Sequence, residues 1–205
     1  MKPDQTGKAY DGIASWWRGQ HGASIYGIEQ LKRAIGWVSN KGTAIDVGCG
    51  SSGRFIRVLL DSGFRVEGID VSKEMITQAR ELHPQCAFEV ADVAAWEPNK
   101  MYDLVCAWDS TFHLPLDLQE SALHTMCDAL TPGGVLIFSC GGNLDGVDGA
   151  GEVTGSFQGK DFEYSTLGVA EFLRLLQIFK LTVRHVEYDR GPTEPHVYII
   201  AQRPA

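Results

Sequence analysis

Positive charge is the scarce commodity in this chain. Across 205 residues, 18 Lys and Arg stand against 26 Asp and Glu, leaving a formal net charge of −8. Nucleic-acid binding draws on clustered cations that displace phosphate counterions, so this balance argues against DNA or RNA as a partner. Long apolar runs are also missing: no uninterrupted stretch reaches the length of a membrane helix. The opening MKPDQTGKAYDG lacks the apolar centre of a signal peptide. The expectation is a soluble, cytoplasmic protein without a membrane partner. Cysteine is sparse and odd in number: the five, Cys49, Cys86, Cys106, Cys127 and Cys140, form no CxxC and no Cys/His pair at zinc-ligand spacing. They read as reduced thiols. Internal repeats and low-complexity tracts are absent, and the length suits one domain over 1–205.

What is present is alternation. The first forty or so residues read as a helical cap, 1–42, with an aromatic cluster at 10–18 and Ile25, Ile28, Leu31, Ile35 and Val38 at amphipathic spacing. Then come a strand at 44–47, a helix at 54–60, a strand at 64–69, and a helix at 73–82 opened by Ser72. Strands at 87–90 and 102–107 follow, then a helix at 116–130 stopped by Thr131-Pro132-Gly133-Gly134, and a strand at 135–139. The stretch 141–165 is glycine-rich, a candidate substrate loop or short hairpin. After a helix at 169–179, strands at 181–188 and 197–201 flank the turn-rich Asp189-Arg190-Gly191-Pro192, close enough to pair antiparallel. Strands alternating with helices predict an α/β fold: a mostly parallel sheet covered on both faces.

The strongest local signal is the strand Ala44-Ile45-Asp46-Val47 running into Gly48-Cys49-Gly50-Ser51-Ser52-Gly53 and a helix. Its glycines permit tight turns and close backbone approach, and the helix start offers free N–H donors. The spacing Gly48-x-Gly50-x-x-Gly53 alone also fits a dinucleotide site, with Asp70 as the ribose acid. Asp46 separates the readings. A carboxylate facing the crevice repels a pyrophosphate and attracts a cation, and S-adenosylmethionine carries a sulfonium and an ammonium against one carboxylate. Asp70 is suited to accept from ribose hydroxyls, and Asp92, after the third strand, from an adenine amino group.

The segments DVGCGSSG, GIDVS, ADV and YDLVCAWDSTFHL, followed by LTPGGVLIFS, resemble in order and spacing the motifs of class I S-adenosylmethionine-dependent methyltransferases. The resemblance implies a Rossmann-like seven-stranded sheet with an antiparallel last strand. It also implies a cofactor lined by Asp46, Gly48, Gly50, Asp70, Val71, Asp92 and Val93, with Met75 near the adenine and Tyr10 covering it. Trp17, Trp108 and the backbone N–H of Cys49 complete the expected binding set, although Tyr10 and Trp17 equally suit anchoring of the N-terminal helix.

Methyl transfer by direct displacement rests on positioning, and a hydroxyl acceptor adds a need for a base. His113 and Tyr164 are the candidates, with a packing role for His113 as the competing assignment. His196 is placed to reach the same mouth. Arg190 reads as a turn charge rather than a clamp for an acidic group. Asp109 stands where metal-dependent O-methyltransferases place a ligand acid, and Asn143 follows the fifth strand, but the accompanying acidic pair is not evident, so no metal is expected. The expected activity is methyl transfer to a small molecule by a monomer or homodimer. The rivals are a nicotinamide-dependent oxidoreductase and a noncatalytic S-adenosylmethionine-binding module.

Overall fold

A computed structural model describes residues 1–141, 150–189 and 196–205. Asn143 and Arg190, singled out above, lie outside the described residues. The elements run α1 (Pro3–Asp11), α2 (Ala14–His21), α3 (Ile28–Ile35), β1 (Thr43–Val47), α4 (Arg54–Asp61), β2 (Arg65–Asp70), α5 (Lys73–Leu82), β3 (Ala87–Val90) and β4 (Tyr102–Ala107). After a short 3-10 turn at Thr111–His113 come α6 (Leu116–Asp128), β5 (Leu130–Gly141), β6 (Gly151–Phe157), β7 (Lys160–Thr166), α7 (Val169–Ile178), β8 (Thr182–Tyr188) and β9 (His196–Gln202).

Seven strands form one sheet in the order β3-β2-β1-β4-β5-β9-β8. The pairs from β3 through β5 are parallel, while β9 runs antiparallel to both β5 and β8. The chain reverses its direction of growth between β3 and β4, beside β1, and the crevice at the strand ends there is where an open α/β sheet binds ligands.

Side chains alternate across a strand, so each central strand feeds two cores. Ile45, Val105, Leu136 and Phe138 point to the face covered by α6 (Ala122, Leu123, Met126) and α7 (Phe172, Leu175, Leu176). Ala44, Leu104, Cys106 and Ile137 point to the face covered by α3 (Leu31, Ala34), α4 (Phe55, Ile56, Leu59) and α5 (Ile76, Ala79). Each fully buried Leu, Ile or Phe in these layers contributes roughly 1.5–3 kcal/mol.

Three departures from the sequence reading have local causes. The N-terminal cap breaks into three short helices, and Ile25, expected on the apolar face, is 82% exposed. It lies before the left-handed Gly27 (φ 79) that precedes α3, outside the helical period. The segment Thr131-Pro132-Gly133-Gly134 does not merely stop a helix: it belongs to β5, whose Leu130 pairs with Tyr102 across an irregularity in register. A bulge of this kind accommodates Pro and Gly inside a strand. The glycine-rich stretch resolves over residues 151–166 into the β6-β7 hairpin, closed by Gln158 (φ 51) and Gly159 (φ 70). Two central residues with positive φ make the turn that matches strand twist.

Candidate active site

A cleft opens at the carboxyl ends of the central strands, where an open α/β sheet places its ligand. Its floor is the loop after β1. Gly48 (φ 72) permits a close approach that a side chain would block, since a Cβ there would stand 2.2 Å from Ser110 Cβ. Gly48 and Cys49 donate their N–H groups to Ile69 O at 2.8 and 3.0 Å, and Ser110 Oγ donates to Val47 O at 2.9 Å. These contacts fix the loop against β2 and β4. Gly50 (φ 57) leaves the surface open beneath Trp17, whose Nε1 a Cβ would meet at 3.4 Å.

Carboxylates end the strands. Asp46, on β1, is 5% exposed and is pushed up to about 7, chiefly by burial. The Cys106 thiol and the charge of Arg54 act in the opposite direction. Asp70, at the end of β2, accepts N–H bonds from Gly50 at 2.9 Å and Ser72 at 2.8 Å, yet burial lifts it to about 6. Each of its oxygens keeps a second lone pair for another donor. Asp92 follows β3 and accepts from Ala94 N at 3.0 Å. Val71, Met75 and Val93 form an apolar wall of the same cleft between these acids.

The other end holds Trp108, Asp109, Ser110 and His113, with Arg54 reaching in from the start of α4. Asp109 has φ 53, an uncommon backbone state for a side chain other than Gly, though one that Asp tolerates better than most. Its N–H donates to Ser139 Oγ at 2.8 Å, and its carboxylate lies 3.9 Å from Arg54 and 3.6 Å from His196 Nε2.

The roof is α1. Pro3, Thr6 and Tyr10 line the cleft at i, i+3 and i+7, one helical face. Gly7 lets the helix lie on the β2-α5 loop, because a Cβ there would meet Val71 O at 2.6 Å. Asp11 accepts from Ser72 Oγ at 2.6 Å and Glu74 N at 2.9 Å, tying α1 to the start of α5. Tyr10 Oη bonds His113 Nε2 at 2.8 Å, and His113 Nδ1 faces Glu163 O at 3.1 Å. A carbonyl only accepts, so Nδ1 carries the proton and Nε2 accepts from Tyr10. Burial holds His113 down to about 4.

All twelve residues expected to meet a cofactor, Tyr10, Trp17, Asp46, Gly48, Cys49, Gly50, Asp70, Val71, Met75, Asp92, Val93 and Trp108, line this one cleft. The two expected bases fare differently. His113 lines the cleft, with its Nε2 bonded to Tyr10 Oη and its pKa held down by burial. Tyr164 is not a lining residue; its ring packs behind His113, 4.8 Å between centroids. The sequence reading passed over Arg54, Pro3 and Thr6. The helical spacing to Tyr10 marks the last two, and Arg54 directly follows the last loop glycine. Among the described residues, no group of three or more His, Cys, Asp or Glu is arranged to hold a metal ion.

Residues 44–134 match the family model of the methyltransferase domain. The chain is 39% identical over 94 residues to trans-aconitate 2-methyltransferase of Escherichia coli O6:K15:H31, a match covering 44% of this chain and 36% of that relative. The chain thus spans little more than a third of the curated relatives it matches first. The CcbJ methyltransferase of Streptomyces caelestis superposes with a TM-score of 0.72 at 16% identity, covering 100% of this chain and 99% of that one. The 1,6-didemethyltoxoflavin-N1-methyltransferase of Burkholderia thailandensis, solved with S-adenosylhomocysteine, gives a TM-score of 0.71 at 15% identity, covering 100% and 92%.

Residues 44–134 thus carry the methyltransferase-domain pattern, and the chain as a whole has the fold of these methyltransferases. The family match spans the strand-end carboxylates Asp46, Asp70 and Asp92 and ends inside β5. The roof helix α1, the β6-β7 hairpin and β8-β9 lie outside it, so the methyltransferase segment supplies the floor and wall of the cleft while the roof belongs to flanking chain.

Proposed function

We propose that this protein transfers the methyl group of S-adenosylmethionine to a small-molecule acceptor. The observation that carries the reading is the pair Asp46 and Asp70, buried in one cleft and both lifted well above the ordinary carboxylate range. Two such acids call for a cation and hydrogen-bond donors, which a sulfonium, an ammonium and two ribose hydroxyls provide. A pyrophosphate brings further negative charge to the same place, which disfavours the dinucleotide rival.

In this reading Asp46 attracts the cationic methionine end, Asp70 accepts from the ribose, and Asp92 accepts from the adenine amino group beside Val71, Met75 and Val93. Trp17 closes over the loop at Gly50. The bound cofactor supplies an electrophilic methyl group. The chain's own contribution is to orient the acceptor at the Trp108-Asp109-Ser110 end and to exclude water beneath α1 and Tyr10, which turns a bimolecular displacement into a positioned one. A neutral His113, bonded to Tyr10, gives the roof a fixed polar anchor without placing a second cation near the sulfonium.

Calorimetric titration with S-adenosylmethionine, S-adenosylhomocysteine and NADH tests this. The first two are expected to bind. Asp46→Ala and Asp70→Ala are each expected to weaken them roughly ten- to hundredfold, the scale of a lost bond to a charged group. Binding of NADH alone would sink the reading, and binding of nothing would leave the pocket without a ligand of this class.

A further inference from the structure

Resting on the cofactor reading above, we propose that the acceptor is an amine held by Asp109, so that the cleft selects against carboxylate-bearing acceptors. Among the described residues, four carboxylates line the cleft, Asp46, Asp70, Asp92 and Asp109, against one cationic side chain, Arg54. The cofactor reading uses the first three and brings one net positive charge. Asp109 is left over, at the end of the cleft opposite the adenine wall.

Arg54 is not free to serve an anionic acceptor. Its guanidinium lies 5.3 Å over the Tyr26 ring and 5.1 Å over the Phe55 ring, its side chain is 10% exposed, and it already faces Asp109 at 3.9 Å. A tricarboxylate entering here meets the Asp109 carboxylate and, among the described lining residues, no cation beyond the already engaged Arg54.

Asp109 is also built to stay in place. Its left-handed backbone turns it into the cleft, Ser139 holds its N–H at 2.8 Å, and His196 Nε2 braces one carboxylate oxygen at 3.6 Å. Behind it, His196 Nδ1 lies 3.2 Å from Tyr26 Oη and 3.7 Å from Asp189, whose side chain is 1% exposed. Asp189 is held in turn by Gln30 at 2.9 Å. The Tyr26 hydrogen bond holds the imidazole between two acids at ion-pair range of each, so His196 is a positioning residue for Asp109. Trp108 and Tyr10 line the same cleft as Asp109, and aromatic rings together with a carboxylate are the surroundings an alkylammonium favours.

The step balances without a further reactant. The Asp109 carboxylate takes one proton from the acceptor ammonium, which frees the nitrogen lone pair. That lone pair forms the new N–C bond as the C–S bond breaks, and the bonding pair passes to sulfur. The products are a methylammonium, a neutral thioether and a proton held on Asp109.

The test uses two probes of similar shape and opposite charge, phenethylamine and 3-phenylpropionate, titrated calorimetrically into protein saturated with S-adenosylhomocysteine. The amine is expected to bind roughly tenfold or more tightly than the acid, the effect of one charge-assisted contact. Asp109→Asn is expected to erase that preference while S-adenosylhomocysteine affinity, which also reports that the variant is folded, stays within about twofold. Asp109→Glu, which keeps the charge, is expected to retain part of it. Equal or tighter binding of the acid, a preference that survives in Asp109→Asn, or no binding of either probe overturns the inference alone. Failure of S-adenosylhomocysteine itself to bind overturns the cofactor reading and this inference with it.

Discussion

Asp46 and Asp70 spend their ionisation energy in the cleft rather than on the fold. An ordinary carboxylate titrates near 3.9, whereas these stand at about 7 and about 6 because burial disfavours their charge. A cationic ligand favours the ionised forms, so binding must expel whatever protons they hold. Affinity for S-adenosylmethionine is therefore expected to climb from pH 5.5 to 7.5. At pH 6.5 the measured binding enthalpy is expected to vary with the ionisation enthalpy of the buffer. Asp46→Asn should flatten the upper part of that profile, and a pH-independent affinity would contradict the assignment. Tyr10 gives a second residue-scale expectation. Tyr10→Phe leaves His113 Nε2 buried without its 2.8 Å partner, at a cost of roughly 1–3 kcal/mol. Urea denaturation is expected to show a lower midpoint at an unchanged slope.

At the scale of elements, the roof depends on two small features of α1. Gly7→Ala places a methyl group 2.6 Å from the carbonyl oxygen of Val71, so α1 must lift from the β2-α5 loop. S-adenosylhomocysteine affinity is expected to fall several-fold while far-UV circular dichroism stays unchanged, because the sheet and its two cores do not involve that contact. Asp11→Ala removes the acceptor for Ser72 Oγ and Glu74 N, and loss of such a cap costs roughly 1 kcal/mol. Elements with a clean period were legible in the sequence: α5, β3 and β4 fall where apolar spacing and the Ser72 cap place them. The β6-β7 hairpin was blurred because glycines mask its alternation, and the start of β5 because Pro132 and Gly133 read as breakers although a bulge absorbs them. The floor of the cleft was legible for a different reason. Its residues sit in short contiguous motifs at strand ends, where local sequence and position in the sheet coincide. His196 was placed at the mouth by its position at the start of the last strand, but its contact with Asp109 was not legible, because it depends on the register that pairs Gly141 with His196.

Over the whole molecule, the buried acids and the buried imidazole pull stability in opposite directions with pH. For Asp46 and Asp70 the folded pKa is raised, so their contribution is fully present below about pH 4 and is lost as pH rises through about 6 and about 7. For His113 the folded pKa is depressed to about 4 from about 6.5, so its contribution is present above pH 6.5 and is lost as pH falls toward 4. Between pH 7.5 and 6 the two acids together gain about 1.5 kcal/mol and His113 gives back roughly half of it, by linkage. His21 and His83, also held low by burial, act in the same direction as His113 and offset the acids further. S-adenosylmethionine at about 100 times its Kd adds about 2.7 kcal/mol, or roughly 5–10 °C in Tm for a chain of this size. Because the ligand holds both acids ionised, it cancels their part of the pH dependence. At a fixed multiple of the Kd measured at pH 7.5, the Tm increment is expected to be larger at pH 7.5 than at pH 6, by about 3–6 °C. Scanning fluorimetry with and without ligand at the two pH values measures the difference directly. An equal increment at both would mean that the carboxylates of the cleft do not change protonation when it fills, which would remove the electrostatic basis for assigning it to a cationic cofactor.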